Sequence, residues 1–217
     1  MAAGSVKPQW LIGVVTAPRI ISTLDRTLDS IALAGWPETI AVSHRGESTP
    51  STTWLRCLEI LVGIALDHHS TRIVIFEDDV LVSAGLRRHL ERSPPPAGLV
   101  SLYCSRTNHH EDNGSLWHEI PDVPRRAHGA LGYCLDLVLA RGILGCQSCQ
   151  DLGHGATDRM IGYFAKERGV PYWCPSPSLV YHLGEGLSGV EPLAVPRFSR
   201  DRNCEVWCED AGTLTRG

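Results

Sequence analysis

The sequence has 217 residues, enough for one domain with a substantial core, because chains of this length bury most of the surface that their unfolded form exposes. Hydrophobic residues make up 43% and charged residues 20%, which excludes a disordered or fibrous protein. The formal charge of -4 argues against broad binding to a phosphate backbone, which needs a clear excess of Lys and Arg, but it leaves room for a local basic groove.

The amino-terminal segment MAAGSVKPQWLIGVV contains a short apolar run, with no basic segment before it and no small-residue cleavage site. The longest apolar stretch, residues 55–66, is interrupted by Arg56 and Glu59 and is too short to span a bilayer. We therefore expect a protein of the cytoplasm, or of the host cytoplasm if it is viral, with no membrane partner.

The first third of the chain alternates between predicted strands and predicted helices. Continuous apolar runs or short β-rich segments predict strands, and apolar residues at helical spacing predict helices. The strands are expected at 10–16, 38–43 and 71–76, and the helices at 22–34 and 53–68. This βαβαβ order predicts a mostly parallel sheet with helices on both faces, in which ligands gather at the carboxyl ends of the strands.

The rest of the chain continues with shorter elements. We predict a helix at 85–91, a strand at 98–103, a strand followed by a helix at 132–144, a helix at 157–168 and an extended segment at 171–181. Residues 104–126 have no clear period, which predicts a long functional loop. Trp117 lies in this loop and is the aromatic side chain that we expect to stack on a sugar or a base. No repeat or linker is visible, which favours one domain.

Three consecutive acids, Glu77, Asp78 and Asp79, follow the third predicted strand in IVIFEDDVLVS. Carboxylates gathered at one place repel one another, and a divalent cation is the common way to stabilise them. Such oxygen ligands suit Mg²⁺ or Mn²⁺, which in turn bind phosphate oxygens. An exposed acidic turn or a helix amino terminus is the alternative for an isolated acidic run. The position at a strand end favours the metal site.

This acidic motif resembles the metal-binding DxD-type motif of glycosyltransferases of the GT-A fold, in which it often appears as EDD. The segments VVTAPR and PSLVYHLGEGLS are also similar to that family. The resemblance implies a single α/β domain over residues 1–217, with a Rossmann-like, mixed and mostly parallel sheet flanked by helices. Residues 10–103 would bind the nucleotide sugar, residues 104–190 would form the acceptor side, and residues 191–217 would form a carboxy-terminal tail.

The resemblance also implies an activity. It predicts a hexosyltransferase that uses Mn²⁺ or Mg²⁺ and moves a sugar from a nucleotide sugar, a UDP-sugar, to an acceptor hydroxyl. The acceptor stays open between a saccharide, a protein side chain, a lipid and a hydroxymethylated base in phage-type DNA. Two alternatives stay open: a nucleotidyltransferase, although no glycine-rich basic loop follows the first strand, and a non-catalytic module that binds a nucleotide sugar.

The resemblance assigns roles to residues of the three similar segments. The metal ligands would be Glu77, Asp79 and His182, and the donor would be bound by Thr16, Pro18, Arg19, Asp78 and Ser188.

Asp158 has two interpretations that do not exclude each other. It could be the general base that takes the proton of the acceptor hydroxyl, if the anomeric configuration inverts; otherwise it would position the substrate. It could also, together with Thr157, cap the helix that follows.

Eight cysteines without a secretion signal favour reduced thiols or metal ligands over disulfides. Two close pairs, Cys146 with Cys149 and Cys204 with Cys208, could together form a structural Zn²⁺ site. Free thiols are the alternative.

Overall fold

The computed structural model describes residues 9–18, 22–44, 48–68, 72–105, 115–123, 125–127, 129–151 and 156–183. The strands in these ranges are β1 (Trp10–Thr16), β2 (Ile40–Ser43), β3 (Arg72–Glu77), β4 (Val80–Val82), β5 (Leu99–Ser101), β6 (Trp117–Glu119), β7 (Gly132–Asp136), β8 (Tyr172–Pro175) and β9 (Val180–His182). The helices are α1 (Leu24–Leu33), α2 (Pro50–His68), α3 (Leu86–Arg92), α4 (Leu137–Leu144), α5 (Gln147–Asp151) and α6 (Thr157–Arg168).

Seven strands form one mixed sheet in the order β2-β1-β3-β7-β5-β8-β6. Strands β1, β2 and β3 are parallel, and β5 and β8 are parallel to each other. Strand β7 lies antiparallel between β3 and β5, and β6 is antiparallel to β8. The protein therefore has an α/β fold with a mixed, partly parallel sheet flanked by helices, consistent with the GT-A fold.

The sheet separates two apolar cores, and β3 contributes to both. Its alternate side chains Ile73 and Ile75 belong to the core on one face, together with residues of α2, α4 and α6. Val74 and Phe76 belong to the core on the other face, together with residues of α1 and α3. Side chains of a strand point alternately to the two faces, so a strand covered on both sides must be apolar throughout. This explains the unbroken run that predicted the strand.

A second, smaller sheet pairs β4 with β9 in antiparallel orientation. The register places Val80 opposite His182 and Val82 opposite Val180. The backbone N–H and the hydroxyl group of Ser83 both donate to the Leu179 carbonyl, at 3.2 and 2.9 Å, and extend the pairing. This short sheet connects the segment after β3 to a segment about a hundred residues later.

Most of the predicted elements are present, with differences at their ends. The bounds of β1 and α6 match the prediction. Helix α2 begins earlier than predicted, at Pro50, because proline suits the first helical position and Thr49 and Thr52 exchange backbone-to-hydroxyl hydrogen bonds there. Strand β6 lies inside the predicted irregular loop, so the expectation that Trp117 lies in irregular structure is wrong. Among the described residues, no helix combines the length and the apolar character needed to cross a bilayer.

Candidate active site

The acidic segment lies where β1 and β3 end side by side at one edge of the large sheet. Glu77 is the last residue of β3 and pairs with Val15 of β1. Asp78 and Asp79 follow, and each is only 2% exposed. A carboxylate removed from water to this extent needs hydrogen bonds or a counter-charge. The partners of these two side chains therefore define the site.

Asp78 is bound to the end of β1. Its Oδ2 atom accepts hydrogen bonds from the Thr16 hydroxyl group, at 2.7 Å, and from the Ala17 backbone N–H, at 3.2 Å. The hydroxyl group of Thr27 on α1 lies 2.8 Å from the carbonyl oxygens of both Asp78 and Val80. Side chain and backbone of Asp78 are thus fixed by two different elements.

Helix α1 contributes a second buried contact to the same segment. The Ser30 hydroxyl group accepts the backbone N–H of Val82 at 3.0 Å and donates to the Thr27 carbonyl at 2.8 Å. Thr27 and Ser30 were not predicted to belong to the site. A signal was present, because Thr27 occupies the helical face of Leu24, Leu28 and Ile31, where an apolar side chain would be expected.

Asp79 faces β9 of the small sheet. Its Oδ2 atom lies 3.2 Å from His182 Nε2, and its backbone carbonyl accepts the N–H of Leu183 at 2.8 Å. The side chain of His182 is 23% exposed, whereas that of Asp79 is 3% exposed, so the imidazole forms the solvent side of the pair. The structure therefore brings together Asp79 and His182, which the sequence analysis assigned to one metal site.

Asp158 lies in the first turn of α6. Its Oδ2 atom accepts the backbone N–H of Gly129 at 3.0 Å, and its Oδ1 atom accepts the N–H of Arg159 at 2.7 Å. The residue that caps α6 is Ala156, which offers no side-chain acceptor, so the prediction that Thr157 and Asp158 cap the helix is wrong. An acid in the first turn still benefits from the helix dipole.

The anchor of Asp158 is near the end of β3. Gly129 lies three residues before β7, and the Leu131 carbonyl accepts the N–H of Glu77 at 3.3 Å. Burial is the main cause that raises the pKa of Tyr133, and the negative charges of Asp158 and Glu77 raise it further. The segment from Gly129 to Leu131 therefore joins the anchor of Asp158 to the last residue of β3.

Gly129 is required at this anchor by its backbone conformation. Its φ is +80°, and a Cβ atom there would lie 2.9 Å from Cδ1 of the buried Tyr103. A residue with a side chain would therefore be strained and would displace the ring.

His44 is a further residue that the sequence analysis did not select. It follows β2 directly; its backbone N–H donates to the Thr16 carbonyl at 2.8 Å, and its Nδ1 atom lies 3.0 Å from the Thr53 hydroxyl group. It is half-buried at the same edge as Thr16. Its position directly after a predicted strand was the available signal, since ligands bind at such strand ends.

The other predicted donor-binding residues are only partly described. Pro18 is exposed, two residues beyond β1. Arg19 and Ser188 lie outside the described residues, so their predicted roles stay predictions.

The first cysteine pair follows α4; both side chains are buried, and no disulfide joins them in the structure. Burial acts to raise the pKa of Cys146, but hydrogen bonds with Ser148 and Cys149 outweigh burial and lower it. Burial is the main cause that raises the pKa of Cys149 to about 12. Cys204 and Cys208 lie outside the described residues, so the predicted Zn²⁺ site stays a prediction.

No protein-family model and no curated protein matches this sequence. Three solved structures are similar to it at low identity. The crystal structure of A197 from STIV is 10% identical, with a TM-score of 0.49, and the match covers 81% of this chain and 86% of that chain. A glycosyltransferase involved in the glycosylation of the major capsid of PBCV-1 is 12% identical, with a TM-score of 0.42, and the match covers 81% and 95%. A protein from Bacillus anthracis named as a glucose-1-phosphate thymidylyltransferase, in complex with a sucrose, is 11% identical, with a TM-score of 0.42, and the match covers 77% and 90%. Similarity at this level concerns the fold alone.

Proposed function

We propose that the protein is a metal-dependent glycosyltransferase that uses a nucleotide sugar as the donor. The observation that carries the proposal is the pair formed by Asp79 and His182. Asp79 Oδ2 lies 3.2 Å from His182 Nε2 at the carboxyl edge of the sheet. The acceptor is one of the classes left open by the sequence analysis, among them a saccharide and a hydroxymethylated base in DNA.

The chemistry of this pair fits a divalent cation. A carboxylate oxygen suits Mn²⁺ or Mg²⁺, and a neutral imidazole nitrogen is also a common metal ligand. The described residues hold no group of three or more His, Cys, Asp or Glu side chains arranged around a metal position. Asp79 and His182 would therefore bind the ion together with donor oxygens, which is usual for Mg²⁺ at phosphate sites.

A cation at this position supplies charge neutralisation for the diphosphate leaving group. The protein's own contribution is a fixed geometry. Asp78 is held by Thr16 and Ala17, and Thr27 holds the backbone on both sides of Asp79. Side chains that are already in place before the reaction cost no reorganisation when charge develops.

Asp158 would accept the proton of the acceptor hydroxyl group. One of its oxygens is fixed by the Gly129 N–H, and the other by the N–H of Arg159 in its own helix. Carboxylate oxygens have further lone pairs, so both atoms keep the capacity to accept a hydroxyl proton. General-base catalysis of this kind contributes about 10²–10⁴-fold to a rate.

The test is release of nucleotide from a panel of UDP-sugars in the presence and absence of Mn²⁺. We expect slow, Mn²⁺-dependent donor hydrolysis by the wild type and none by Asp79→Asn, which keeps the size of the side chain and removes its charge. Asp158→Asn should retain donor hydrolysis and donor binding, and should lose transfer once an acceptor is found.

Glu38→Ala is the matched control, because it removes an exposed carboxylate that precedes β2, at the opposite edge of the sheet. Its Mn²⁺-dependent donor hydrolysis should equal that of the wild type. Donor hydrolysis that is independent of Mn²⁺ or unchanged in Asp79→Asn would refute the proposed metal site. Release of diphosphate from a nucleoside triphosphate would instead indicate nucleotidyl transfer, and tight binding without turnover would indicate a binding module.

A further inference from the structure

A cleft of about 540 Å³ lies between the carboxy-terminal end of α1 and helix α3. It is lined by Ala34, two glycines and four charged side chains of α3. Ala34 comes seven residues after Thr27, about 10 Å further along the helix, so the cleft and the acidic segment lie at opposite ends of α1. Its volume is in the range of about 300–1,000 Å³ that is typical of small-molecule sites.

The two walls of the cleft are fixed to each other. The backbone N–H of Gly85 donates to the Leu33 carbonyl at 3.2 Å, and the N–H of Arg87 donates to the Ala34 carbonyl at 3.0 Å. Gly35 and Gly85 have φ angles of +106° and +71°, which favour glycine. A Cβ atom at Gly35 would lie 3.2 Å from the Arg87 Cβ atom. The cleft is therefore formed in advance, which lowers the entropy lost when a ligand binds.

Positive charge predominates in the cleft, because its four charged side chains are three arginines and one glutamate. Glu91 Oε1 accepts Arg87 Nε at 2.9 Å, which holds this guanidinium group in place. Arg88 and Arg92 are both exposed and lie four positions apart, so they are neighbours on one side of α3. Two such groups can donate to the oxygens of one anion, and the planar guanidinium donors match the geometry of phosphate.

Arginines near the carboxy-terminal end of a helix can instead serve to cap it. The carbonyl oxygens of residues 30–35 at the end of α1 each accept a hydrogen bond in the structure. Arg87 provides two of the donors, its backbone N–H at 3.0 Å and its guanidinium group at 3.2 Å. Arg92 suits the last turn of α3, but Arg88 lies in the first turn, where the helix dipole disfavours a cation. Helix capping therefore accounts for Arg87 and Arg92 but not for Arg88.

We propose that this cleft binds a small phosphate-bearing ligand, inorganic phosphate or a phosphate monoester. Arg88 and Arg92 donate to the phosphate oxygens, and the two glycines allow the ligand to approach the backbone closely. A small ligand is favoured over a nucleic acid, because a phosphate backbone is bound by an extended basic surface and the chain has a formal charge of -4. The proposal is independent of the proposed glycosyltransferase activity.

The experiment is isothermal titration calorimetry of the full-length protein with inorganic phosphate and with ribose 5-phosphate, at constant ionic strength in chloride buffer without divalent metal. We expect saturable binding at one site. Arg88→Gln and Arg92→Gln should each weaken binding about tenfold, since each removes a charged donor. Arg141→Gln is the matched control, because it removes an exposed arginine from α4, on the other face of the sheet. Its affinity should equal that of the wild type, and circular dichroism checks that each variant is folded.

The two probes distinguish the sources of the phosphate group. Equal or tighter binding of inorganic phosphate identifies the free ion as the ligand, whereas tighter binding of ribose 5-phosphate identifies an organic phosphate; both support the site. Absence of saturable binding to the folded wild type would overturn the proposal. Equal losses in Arg141→Gln and in the two cleft variants would also overturn it. So would tighter binding of a single-stranded oligonucleotide that both cleft variants weaken, since the cleft would then belong to a nucleic-acid surface.

Discussion

The hydroxyl group of Thr27 is one of the two described side-chain contacts by which α1 holds the acidic segment, the other being that of Ser30. Thr27→Val keeps the branched shape of the side chain, which is fully buried, and removes the hydroxyl proton that the carbonyl oxygens of Asp78 and Val80 share. A buried polar group left without its partner costs about 1–3 kcal/mol. At about 2–4 °C per kcal/mol for a domain of this size, we expect Tm to fall by roughly 2–12 °C.

Thr27→Ser is the matched variant, because it keeps the hydroxyl group and removes one buried methyl group. Loss of a methyl group from a core costs about 0.5–1.5 kcal/mol, so the serine variant should be the more stable of the two. The measurement is thermal and urea unfolding followed by circular dichroism, combined with the Mn²⁺ dependence of donor hydrolysis. If Thr27→Val is as stable as Thr27→Ser, or more stable, the hydrogen bonds of this hydroxyl group do not hold the segment.

Two further predictions concern the scaffold, and both are measured by urea unfolding. Gly13→Ala places a Cβ atom 2.6 Å from the Cys57 sulfur and should lower the free energy of unfolding by about 1–3 kcal/mol. Gly63→Ala in α2, where a Cβ atom meets nothing within 4 Å, should raise it by about 0.5–1 kcal/mol. Equal effects of the two substitutions would contradict the close packing of Gly13 against α2. Asp136→Ala removes the side chain that accepts the Leu139 N–H at 2.7 Å at the start of α4. It should lower the free energy of unfolding by about 0.5–2 kcal/mol. Unchanged stability would show that this cap contributes nothing.

Long elements with a strong pattern were predictable from the sequence. Strand β1 is a seven-residue apolar run covered on both faces, and α6 carries apolar residues at regular helical spacing for three turns. Strands β4 and β6, which were not predicted, have three residues each, too few to show an alternation. These strands form because the packing of the longer elements brings their partner strands next to them.

The proximity of Asp79 and His182 was expected from the resemblance, whereas the contacts that support the acids were not predicted. The hydrogen bonds of Asp78 with Thr16 and of Thr27 with Val80 join residues 62 and 53 positions apart. Such contacts depend on how helices and strands pack, which a single sequence does not display. A polar residue on an apolar helix face, such as Thr27, is the sequence feature that indicates such contacts.

The register of β9 against β4 decides which side chain of β9 accompanies Asp79. Three residue pairs set this alignment, and His182 stands opposite Val80 only in the observed one. Deleting a single residue between β8 and β9 would shift this alignment by one position and place the apolar Leu183, instead of the imidazole, opposite Val80. The proposed metal site would then lose its nitrogen ligand.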